Sequence, residues 1–86
     1  MTEKRLLKLV ETVLSNPKNV RFEELKRLLE GFGFTCCQPR GGSSHYTFRK
    51  QGSYPITVPK KRPVNQAYVK SVIKQLNLEE WYDENC

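Results

Sequence analysis

Ser44-His45-Tyr46-Thr47-Phe48-Arg49-Lys50, then Gln51-Gly52-Ser53, then Tyr54-Pro55-Ile56-Thr57-Val58: this stretch decides the fold of the 86-residue chain. Tyr46 and Phe48 alternate with His45, Thr47 and Arg49, the period of two that marks a strand with one buried face. Gly52 sits in a turn. Ile56 and Val58 then alternate with Thr57 in a further strand. Pro55 cannot donate to a ladder, so this strand lies at a sheet edge or starts irregularly. Upstream, Phe34 to Gln38 reads as a first strand closed by Pro39, and Arg40-Gly41-Gly42-Ser43 as a loop. Three strands joined by short connections predict an antiparallel meander. Its apolar face needs a partner layer. Tyr46, Phe48, Ile56 and Val58 should therefore face helices, leaving His45 on the open side beside Arg49.

Helical patterns flank the meander. Leu6, Leu7, Leu9, Val10, Val13 and Leu14 recur at helical spacing, predicting an amphipathic helix over Thr2 to Ser15 that Thr2 caps and Asn16-Pro17 ends. A linker, Lys18 to Arg21, leads to a second helix from Phe22 to Gly31, with Glu23 and Glu24 in its first turn, where the helix dipole favours them. Beyond the strands, Pro59-Lys60-Lys61-Arg62-Pro63 forms a basic loop. Asn65 caps a third helix that ends near Asn77. The acidic segment Glu79 to Cys86 either adds a short turn of helix or frays. The predicted architecture is α+β: a three-stranded antiparallel sheet with helices on one face, in the order α-β-β-β-α, plus an extra N-terminal helix. It is one domain over 1–86, divided into helix and linker (1–21), core (22–78) and acidic tail (79–86).

Charge is unevenly spread along this domain. Gly31 to Leu78 contains no Asp or Glu but holds Arg40, Arg49, Lys50, Lys60, Lys61, Arg62, Lys70 and Lys74 and the only histidine, His45. All nine acidic residues lie outside that segment, and the net charge is +6. Buried cations need partners, and this segment supplies none, so a strongly positive surface is expected, with a polyanion as its ligand. No run approaches the roughly 18 apolar residues that span a bilayer. The N-terminus does not read as a signal peptide. A cytoplasmic protein with no membrane contact is expected. Three cysteines, two of them adjacent (Cys36 and Cys37), fit free thiols, one toward the core and one away. They lack the spacing and ligand count of a zinc site, and no metal or other cofactor is expected.

A histidine among cations suits one reaction in particular. RNA carries its own nucleophile, the 2′-OH, so its cleavage needs proton transfer and positive charge but no metal. An imidazole can serve either proton role near neutral pH. Arg49, Lys50 and Lys60 are candidates to stabilise the transition-state charge. Gly41 and Gly42 allow backbone N–H groups to approach a phosphate closely, and Ser43 and Ser44 add hydroxyl donors next to His45. With one histidine, the second proton-transfer group has to be Tyr46, a lysine or water. The same residues also suit plainer roles: a non-catalytic RNA-binding module, or a basic protein-interaction domain.

Gly42-Ser43-Ser44-His45-Tyr46-Thr47-Phe48 resembles the G-S-x-H-x-x-F motif of the HicA family of mRNA interferase toxins. Phe22-Glu23-Glu24-Leu25 with Gly33-Phe34, Ile56-Thr57-Val58-Pro59, and Val69 to Leu76 look like that family's opening helix and strand, third strand and closing helix. The likeness covers about Phe22 to Leu78. It implies a double-stranded-RNA-binding-domain-like fold and a toxin of a type II toxin–antitoxin system. It also implies endonucleolytic cleavage of mRNA with His45 as the catalytic residue. Arg40, Gly41, Gly42, Ser43, Ser44, Arg49, Lys50, Lys60, Lys61 and Arg62 are the residues expected to hold RNA phosphates. The resemblance further implies a HicB-type antitoxin over the basic face, and binding of operator DNA only by the complex. Many members carry a histidine after the third strand's Val-Pro. Here Lys60-Lys61-Arg62 follows, and Arg62 can grip phosphate but cannot act as an acid.

Overall fold

The computed structural model describes residues 4–37 and 45–86. Its elements are α1 (Lys4–Ser15), a 3-10 turn (Pro17–Asn19), α2 (Phe22–Gly31), β1 (Thr35–Cys37), β2 (His45–Arg49), β3 (Ile56–Pro59), α3 (Gln66–Leu76) and α4 (Leu78–Asn85). From α2 to α3 the order is the expected α-β-β-β-α, preceded by the extra helix α1. The proposed Thr2 cap, the end of the first strand at Gln38 and Pro39, the loop from Arg40 to Ser43, and Ser44 at the start of the second strand lie outside the described residues.

Local chemistry explains most boundaries. Phe22 opens α2 without a Ser, Thr or Asp before it. Instead the Glu24 carboxylate reaches back and accepts from the Arg21 N–H at 3.0 Å, satisfying an N–H at the helix entrance. Gly33 follows α2 at φ +94°, a conformation that side chains rarely adopt. The Asn65 side chain accepts from Ala67 N–H at 2.9 Å and caps α3. Asn77 closes α3 at φ +53°, a left-handed conformation that asparagine tolerates.

The strands lie in the order β1-β2-β3, both pairs antiparallel. Pro55 stands just before β3, which begins at Ile56 and forms an edge, as the missing donor requires. Phe48, Ile56 and Val58 are buried, and they share one core with Phe22, Leu25, Leu28 and Leu29 of α2, Val10 and Val13 of α1, and Val69 and Val72 of α3. The helices thus occupy one face of the sheet. The acidic C-terminal segment does more than add a turn. It forms the eight-residue α4, with Leu78 fully buried and the Trp81 ring edge-on to Phe32 at 5.0 Å. Glu79 and Glu80 occupy its first turn, on the favourable side of the helix dipole.

Candidate nucleic-acid face and active site

Alternation along β2 sorts its side chains between two environments. Tyr46 and Phe48 turn inward, and Phe22 at the start of α2 packs on both, with ring centroids at 5.0 Å and 6.3 Å. His45 and Arg49 are exposed on the other side, with half-buried Thr47 between them. The register adds Thr35 opposite Arg49, Cys37 and Thr57 opposite Thr47, and Pro59 opposite His45. Thr47 and Thr57 join their hydroxyls at 3.2 Å across the two strands. No carboxylate stands on this open face among the described strand residues.

His45 and Arg49 share that face but are not side by side. Four residues of strand at about 3.3 Å each put their Cα atoms about 13 Å apart, with Thr47 in the gap. Tyr46, one of the candidates for a second proton-transfer group, belongs to the opposite face.

The basic loop lies at the His45 end. Lys60 and Lys61 are exposed and follow Pro59, the residue opposite His45. The Lys60 ammonium sits 5.9 Å from the Tyr46 ring centroid, a cation–π distance, so it leans toward the Tyr46 side of the sheet and away from His45. Arg62 turns elsewhere and pairs with Glu23 of α2. That hydrogen bond, together with the Glu23 backbone N–H and the charges of Arg62 and Lys60, holds the Glu23 carboxyl below its ordinary value, and the same bond raises Arg62. Lys50, just past the other end of β2, also turns toward the helices. Its ammonium donates to the Phe32 carbonyl at 2.7 Å and lies 5.7 Å from the Phe34 ring centroid.

The predicted set therefore divides. His45 and Arg49 share the open face, Lys61 is exposed in the loop at its His45 end, Lys60 leans to the Tyr46 side, and Lys50 and Arg62 are engaged by α2 and the residue after it. Arg40, Gly41, Gly42, Ser43 and Ser44 lie outside the described residues. Sequence reading missed Glu23 as a partner of the basic loop, because 39 positions separate it from Arg62. Cys36 packs against the core while Cys37 is exposed, as adjacent strand residues must, and burial pushes the Cys36 thiol up. Among the described residues, no three His, Cys, Asp or Glu side chains gather as metal ligands, and no helix is long and apolar enough to cross a membrane.

A family model described as the HicA toxin of bacterial toxin–antitoxin matches residues 22–78. The match opens on the first residue of α2 and closes on the first residue of α4. Neither the curated proteins nor the solved structures give a significant match.

Proposed function

This chain belongs to the HicA toxin family of bacterial toxin–antitoxin systems, and on that premise we propose that it is an endoribonuclease that cuts mRNA with His45, stopping translation and growth. The observation that carries the reading is the position of His45: exposed on an open sheet face that has no carboxylate among the described strand residues, with Lys61 exposed in the loop at its end and Arg49 following along the strand. In this reaction the 2′-OH attacks the adjacent phosphate and the 5′-oxygen departs, leaving a 2′,3′-cyclic phosphate and a 5′-OH. His45 takes the proton from the 2′-OH or gives one to the leaving oxygen. The exposed cations stabilise charge on the phosphoryl oxygens. Since Tyr46 faces the helices, water or a lysine is the better candidate for the second proton transfer. The nucleophile belongs to the substrate, so the chemistry needs no metal or other cofactor, and DNA, lacking the 2′-OH, is not cut.

The same reading makes a HicB-type antitoxin the partner that covers the basic face, and assigns operator DNA to the complex. It places the chain in the cytoplasm with its mRNA substrate. The deciding experiment compares wild type with His45→Ala on RNA and in growing cells lacking the antitoxin. The substitution should lower cleavage by about 10²–10⁴-fold, the usual range for a lost acid–base group, and relieve growth inhibition. RNA affinity and thermal stability should stay close to wild type. Equal cleavage by both proteins sinks the role of His45. RNA binding without any cyclic-phosphate product favours the binding-module reading instead.

A further inference from the structure

Among the described strand residues, the open face carries its basic side chains at two stations, with hydroxyls and a thiol between them. At one station stands His45, opposite Pro59. At the other stands Arg49, opposite Thr35. Between them the face offers the hydroxyls of Thr47 and Thr57 and the thiol of Cys37. From this arrangement we propose that the sheet is a ruler for single-stranded RNA. With the scissile phosphate at His45, Arg49 holds a second phosphate a fixed distance away, on one side of the cut only. The inference rests on the cleavage reading for its reference point, since His45 defines where the cut falls.

Three features support the ruler. The spacing is fixed by the central strand, held at the His45 end by β3 and at the Arg49 end by β1, so the interval of about 13 Å follows from strand rise and not from loop position. It corresponds to about four nucleotides of a strand stacked at 3.4 Å per nucleotide, and to fewer if the strand is drawn out. Arginine is suited to the far station, because its planar fork holds a phosphate through two parallel hydrogen bonds. Among the described residues, the middle of the face supplies no Lys, Arg or His, so recognition by cations there is interrupted rather than continuous. Lys60 leans to the Tyr46 side of the sheet and adds no second station to the open face. Attack by the 2′-OH in line with the departing oxygen requires a backbone free to leave A-form geometry, which favours an unpaired strand over a duplex.

The test uses the full chain and RNA oligonucleotides with one cut site, shortened one nucleotide at a time from either end. Wild-type kcat/KM should hold constant until one flank falls below about four nucleotides, then drop roughly tenfold, chiefly through KM, as expected for lost uniform binding. Shortening the other flank should produce no step that depends on Arg49. Arg49→Gln should lose the step, with truncation costing that variant less than about twofold. A parallel series with 2′-deoxyribose at the cut site measures affinity without cleavage and should show the same step. Indifference of the wild type to both flanks overturns the ruler, as does an unchanged step in Arg49→Gln. If wild type cuts none of the RNAs but the affinity step persists and depends on Arg49, the ruler stands and the cleavage reading falls.

Discussion

Arg62, in the loop after β3, pairs with Glu23 in the first turn of α2. The pair ties the basic loop to the helical layer, and a second tie lies two residues on, where the N–H of buried Val64 donates to the Val20 carbonyl at 2.8 Å. Because the folded protein lowers the Glu23 carboxyl from its ordinary 4.5, the sign of the pH effect is fixed. The stabilisation is fully present above about pH 4.5 and is lost as the pH falls through the lower folded-state value. Thermal melts of wild type and Glu23→Gln should differ slightly at neutral pH, as expected of an exposed pair, and converge in acid. A gap that widens toward low pH contradicts this account.

Phe48 and Arg49 are neighbours in sequence with opposite surroundings. Phe48 is fully buried, and Phe48→Ala should cost about 3–5 kcal/mol. That is a large part of the roughly 4–13 kcal/mol expected for a domain of this length. Arg49→Ala and His45→Ala should stay within about 0.5 kcal/mol, the usual range for exposed positions. Urea unfolding of the three variants measures the contrast.

The α3 cap gives a more local test. Asn65→Ala removes the acceptor for the Ala67 N–H and should cost about 1 kcal/mol. Asn65→Asp keeps an acceptor in place and should lose little. Equal losses in both variants would mean that the Asn65 amide matters through some other contact.

How far the sequence revealed this arrangement depends on the range of each interaction. The faces of β2 were legible because a period of two needs only neighbouring residues, and the ends of α2 and α3 because their signals lie within a turn. Lys50 and Arg62 were not legible as anchors. Their partners, the Phe32 carbonyl and the Glu23 carboxylate, lie 18 and 39 positions away, and a chain without acids from Gly31 to Leu78 suggests that its cations stay unpaired. His45 and Arg49 looked adjacent because both belong to one face, although strand rise separates them. The α4 segment is not legible as a helix because eight residues rich in acid carry little apolar periodicity, and it is anchored by the buried Leu78.

The division of the cations also sets the salt dependence of RNA binding. If Arg49, Lys60, Lys61 and Arg40 each neutralise one phosphate, the slope of log affinity against log salt should be about −3, from roughly −0.7 per contact on a single strand. Adding Lys50 and Arg62 would steepen it to about −4 on the same coefficient. The two cases separate through Arg62→Gln. With Arg62 kept on Glu23, that substitution leaves the slope unchanged. If RNA draws Arg62 away from Glu23, the slope becomes shallower by about 0.7, and Glu23→Gln, by releasing Arg62, should tighten binding most at low salt, where charge is least screened. Titrations of the three proteins over a range of salt concentrations decide whether Arg62 anchors the loop or joins the phosphate contacts.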